Sequence, residues 1–122
     1  MKRMWMALML APALAWAQQG WLYLGDSPLG QIYGREDSLV RPKVGNPVYW
    51  VYIDYKAPRN GAMSVRLAVE TDCERRQTRI MGGTEYTGAK GSGTVVQPIR
   101  ASEWEPVPPS TAMSGIAYRA CS

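Results

Sequence analysis

The 122-residue chain contains no histidine. That absence removes the usual general base near neutral pH, the Ser-His and Cys-His nucleophile pairs, and the commonest zinc ligand. Cysteine is scarce as well, with only Cys73 and Cys121. No apolar run approaches the roughly 20 residues that a membrane-spanning helix needs. The excess of positive charge is small: 14 Lys and Arg face 10 Asp and Glu, for a formal charge of +4. That is short of the strong field a nucleic-acid binder carries. Calcium-loop spacing is also missing.

What the chain does have begins at its amino terminus. Lys2 and Arg3 precede an apolar run from Met4 to Trp16, and Ala15-Trp16-Ala17 puts small residues where a signal peptidase reads. The pattern predicts a signal peptide over residues 1–17, cleaved between Ala17 and Gln18, and one small domain over residues 18–122. Losing Lys2 and Arg3 lowers the basic count to 12 and the formal charge to +2. No cysteine lies near the cleavage site, so the expected product is periplasmic or secreted and not lipid-anchored.

In an oxidising compartment, two cysteines in so short a chain read as one disulfide, Cys73–Cys121. Closing a loop of about fifty residues is worth roughly 4 kcal/mol in the chain-entropy model.

The rest of the chain reads mainly as strand. Gly20–Leu24 and Gly30–Gly34 predict two short strands joined at Gly25-Asp26-Ser27-Pro28, and Asp37–Val40 predicts an edge strand. Val48–Tyr55 is β-branched and aromatic throughout, and both of its faces are apolar, which predicts a central strand covered on both sides. Asn60-Gly61 is the best hairpin turn signal. Next, Met63, Val65, Leu67, Val69, Thr71 and Cys73 alternate with Ser64, Arg66, Ala68, Glu70 and Asp72. Period two thereby predicts that Cys73 faces the core. A polar strand from Glu74 to Met81, a turn near Gly82-Gly83, and a strand at Thr94–Val96 follow.

Gly88–Gly93 superficially suggests a phosphate loop, but Lys90 precedes its glycine and no helix signal follows, so a flexible hairpin loop is expected. Glu103–Pro109 is extended because its prolines exclude helix. Ser110 or Thr111 would cap a short terminal helix with Met113, Ile116, Ala117 and Ala120 on one face. The expected fold is α+β but mainly β: about six antiparallel strands, with a short C-terminal helix packed on them and tied by the disulfide.

Candidate chemistry is thin. Asp54, Glu70, Asp72 and Glu74 are the only carboxylates considered for acid/base work, and the default for charges on a polar strand face is solvation. No catalytic, cofactor-binding or metal-binding residue is assigned. The basic residues Arg75, Arg76, Arg79 and Lys90, with Arg66 across the hairpin, form the candidate partner surface, since arginine suits interfaces and carboxylate or sulfate ligands. The competing reading is a solvated face that balances Glu70, Asp72 and Glu74. Tyr49, Tyr52, Tyr55 and Tyr86 admit the same two readings, with core packing favoured.

Particular residues give the chain a family likeness. Tyr33, Asp37-Ser38, Arg41, Gly45-Asn46, Val48, Trp50-Val51 and Asp54-Tyr55 are followed by Asp72-Cys73, Arg76, Gly88, Trp104, Pro109-Ser110, Tyr118 and Cys121. In this order and spacing the chain resembles the surface-adhesin protein E family of Gram-negative envelope proteins. The resemblance implies a six-stranded antiparallel sheet with a disulfide-tethered C-terminal helix, and binding of host matrix and serum proteins such as laminin and vitronectin. The adhesin is a lipoprotein, and this sequence has no cysteine to carry a lipid. The functional expectation is a non-catalytic exported binding protein for a protein or glycan partner, against the alternative of a structural or stress-related periplasmic protein with no soluble ligand.

Overall fold

The computed structural model describes residues 21–122. The signal peptide and its cleavage site lie outside the described residues. The strands are β1 (Trp21–Asp26), β2 (Gly30–Arg35), β3 (Val48–Arg59), β4 (Ala62–Asp72), β5 (Gln77–Tyr86), β6 (Val95–Ile99) and the two-residue β7 (Glu105–Pro106). One helix, α1 (Ala112–Cys121), closes the chain. The first six strands form a single antiparallel meander in sequence order. The seventh pairs with the Gln77–Thr78 end of β5, beyond where β6 pairs with it.

Strands β3 and β4 are the long central pair, and their register follows the apolar pattern. Tyr49 lies opposite Val69, Val51 opposite Leu67, and Ile53 opposite Val65. With Ile32 from β2 and Ile116 from α1 these residues make the core. The helix covers this face only. Val48, Trp50 and Tyr52, on the opposite face of β3, are half-buried, so the expectation of a strand covered on both sides is corrected.

Three further expectations change. Asp37–Val40 is not an edge strand: Glu36–Ser38 is one 3₁₀ turn, and only Val40 bridges to Val48. Side chains there are committed elsewhere, since Ser38 Oγ donates to the Arg35 carbonyl (2.6 Å) and accepts from the Trp50 amide (3.3 Å). The chain does not turn at Gly82-Gly83. It turns over residues 73–76, where the Asp72 carboxylate accepts from the Glu74 and Arg75 amides at 3.2 and 3.1 Å. Gly83 sits mid-strand, where an added Cβ would lie 2.2 Å from the Arg66 carbonyl oxygen. Finally, Cys73 is exposed. The alternation that pointed it inward stops one residue early, because β4 ends at Asp72.

The disulfide Cys73–Cys121 is formed, with its Cα atoms 5.8 Å apart. It is one of several fastenings of α1. At the amino end Thr111 and Ser114 make a reciprocal capping box. At the carboxyl end Arg41 donates to the Ala120 carbonyl (3.2 Å) and the Arg119 carbonyl (2.9 Å). These are the last acceptors a helix leaves unpaired. Ala112, Ile116 and Ala120 point into the core.

Candidate functional site

With α1 on one face, the other face of the sheet lies open. The side chains along it come from alternate residues: Trp21 and Tyr23 of β1, Tyr33 and Arg35 of β2, Trp50 and Tyr52 of β3, Arg66 and Glu70 of β4, and Arg79 of β5. Four cations sit over aromatic rings here. Arg35 lies 5.4 Å from the centroid of Trp21, Lys90 4.7 Å from Tyr33, Arg66 4.2 Å from Trp50, and Arg79 5.0 Å from Trp104. Trp21 packs on Tyr52 (4.6 Å) and Tyr23 on Tyr33 (5.7 Å). The pairs run from one edge of the sheet to the other. Cation–π contact of this kind holds a guanidinium flat and leaves its edge donors free.

The pairs differ in what balances them. Arg79 is bound to Glu70 at 2.6 Å, and Glu70 also accepts from Asn46 at 3.0 Å. Arg35 is paired with Asp37 at 2.8 Å. Arg66 and Lys90 have no carboxylate partner among the described residues. All ten acidic residues lie within that region.

Lys90 is positioned by its loop. The Lys90 amide donates to Asp54 Oδ1 (2.7 Å), the Gly91 amide to Ser64 Oγ (2.9 Å), and Ser64 Oγ to the Gly88 carbonyl (2.6 Å). Gly91, at φ +75°, lies against the Tyr52 ring, leaving no room for a side chain. The Gly88–Gly93 loop, expected to be flexible, is laid onto the sheet.

Of the basic residues singled out in the sequence, Arg66, Arg79 and Lys90 reach this face. Arg75 and Arg76 lie in the β4–β5 turn beside the disulfide. The ten residues of β5 separate that turn from the Lys90 loop, a span of about 30 Å. The five do not form one cluster. The sequence reading missed Trp21, Tyr33 and Trp50 as ring partners, and only strand register could have supplied them. Tyr52 lies on the open face, whereas Tyr49 and Tyr55 are in the core.

The helix side has its own opening. Ten residues of helix do not span the sheet, and a cleft of about 570 Å³ remains beside Met113, floored by Ile32, Val51, Ile53, Leu67 and Val69. Such apolar volume is the default ligand site, yet few polar groups converge there. The ionised groups at its rim, Asp26 and Glu105, are both acids. A buried group nearby serves the core: Tyr55 donates to Glu85 at 2.6 Å, and Gln97 donates to Glu85 at 2.6 Å. No grouping of His, Cys, Asp and Glu among the described residues suits a metal ion, and no described helix is long and apolar enough to cross a membrane.

The family model for surface-adhesin protein E matches residues 21–122. The chain belongs to that family. It is accordingly an adhesin-like surface protein, of a family whose members are exported to the envelope. Its fold is that of Haemophilus influenzae protein E. Crystal form II of that protein superposes with a TM-score of 0.67 at 16% identity, over 85% of this chain and 88% of the other. A second structure of it gives 0.66 at 16% identity, over 85% of each chain. No curated protein sequence matches.

Proposed function

We propose that this family member is a non-catalytic binding protein of the bacterial envelope, exported by its signal peptide, that contacts a host matrix or serum protein through the open sheet face. The observation that carries this reading is the row of four stacked cation–aromatic pairs on the face opposite α1. Tryptophan, tyrosine and arginine are the residues that dominate interface energetics. Within this reading Arg79 and Lys90 belong to the contact surface, and Arg75 and Arg76 mark its end. Within this reading the product is periplasmic or secreted.

The competing reading, a structural or stress-related periplasmic protein with no soluble ligand, draws support from the Arg79–Glu70 and Arg35–Asp37 pairs, which neutralise half of the stacked cations. Purified residues 18–122 on immobilised laminin and vitronectin distinguish the two. Binding that Trp50→Ala and Arg66→Glu each weaken about tenfold or more, with the melting temperature nearly unchanged, supports the contact surface. No binding by the wild type, together with an envelope-integrity defect on deletion, favours the structural role.

A further inference from the structure

Arg66 is a charge that the fold itself does not use. It is half-buried, stacked 4.2 Å from the Trp50 centroid, and without an ion pair or a side-chain hydrogen bond among the described residues. Partial burial strips water from a guanidinium, and stacking fixes its plane, so its donors are oriented and unspent. In register with it across the sheet lie Tyr52 and, on the other side, Thr84. Tyr52 in turn lies opposite Tyr33, whose ring carries the Lys90 ammonium. Two strand spacings put the backbones of Tyr33 and Arg66 about 10 Å apart. Two unpaired cations thus flank a tyrosine, with hydroxyl groups around them. Of the acids on this face, Asp54 accepts from the Lys90 amide, and Glu70 holds Arg79 and Asn46.

We infer that this part of the open face is a binding site for an acidic polysaccharide, with sulfate or uronate groups meeting Arg66 and Lys90 and sugar hydroxyls meeting Tyr52 and Thr84. The inference rests on the open face being the contact surface, and it names the chemistry that surface takes. Two unpaired cations on one open face suit a chain that carries a charge on successive sugars. The planar fork of arginine matches sulfate and carboxylate oxygens two at a time.

Binding of residues 18–122 to heparin, measured at several salt concentrations, tests the inference. Arg66→Gln and Lys90→Gln are each expected to weaken binding roughly tenfold, the loss of one charge-assisted contact. The wild-type affinity is expected to fall with rising salt, desulfated heparin to bind far more weakly, and Arg75→Gln/Arg76→Gln to bind like the wild type. Heparin binding that ignores Arg66 and Lys90, equal binding of desulfated heparin, or stronger competition by polyglutamate overturns the site. Matrix protein stripped of its glycans separates this inference from the functional reading. If it still binds in a way that Trp50→Ala abolishes, the glycan site falls and the contact surface stands. If neither stripped nor intact matrix responds to substitutions on the face, both fall.

Discussion

Glu36 shows how much one side chain can hold together. Its carboxylate accepts from Tyr49 at 2.6 Å and is forked by the Arg119 guanidinium, so the β2–β3 connection, the core and α1 meet at one group. The Arg119 bond, followed by that of Tyr49, holds the Glu36 carboxyl below its ordinary range against the opposing cost of burial. The same contact, with burial as the larger cause, pushes the Tyr49 phenol up. A carboxyl lowered in the folded state contributes its stability above the ordinary glutamate pKa and loses it as pH falls through the lowered value. Stability should therefore hold through neutral pH and decline below about pH 4.3. Glu36→Gln should cost on the order of 1 kcal/mol at pH 7, with the gap to wild type narrowing as acid is added. Melting temperatures of the two proteins from pH 3 to 7 check this, and a gap independent of pH would refute the linkage.

At the scale of elements, α1 and the β3–β4 hairpin teach different lessons. A ten-residue helix is marginal alone, so its place depends on fastenings that are remote in sequence: Arg41, Glu36 and Cys73. Cys73→Ser/Cys121→Ser is expected to lower stability by roughly 3–4 kcal/mol and to speed amide exchange in Ala112–Cys121 more than in β3 and β4. An unchanged melting temperature would show the bridge to be idle. The hairpin shows why counting from the turn misleads. Asn60-Gly61 pairs Arg59 with Ala62, and the same count would set Val51 against Glu70. A register shift between Asp54 and Arg59 instead brings Val51 opposite Leu67. Burial of matched apolar residues outweighs the regularity of the turn, and because side chains alternate, an odd shift decides which face Arg66 occupies.

On the scale of the whole molecule, one sheet face is spent on stability and the other is available for contact. Substitutions should divide accordingly. Ile53→Ala, in the core, should cost about 2–4 kcal/mol yet leave binding intact at temperatures where the protein stays folded. Trp50→Ala, one strand position class away, should cost far less stability and abolish binding. Denaturation and binding measured on the same two variants decide the matter, and a Trp50→Ala protein that binds normally would remove the open face from the functional account.

The sequence alone determined most of the strands, the capped terminal helix, the cysteine pairing and the absence of histidine. Each follows from local periodicity, local turn chemistry, or counting. It could also place Val65 and Leu67 inside, because alternation is a property of neighbours. Tertiary structure decided the rest: that α1 covers a single face, that Arg75 and Arg76 stand apart from Lys90, that Cys73 lies just past the end of its strand, and that Arg66 stacks on Trp50. Those outcomes depend on register and on a bulge, which are settled by the free energy of burying distant residues together and carry no signal in any short stretch of chain.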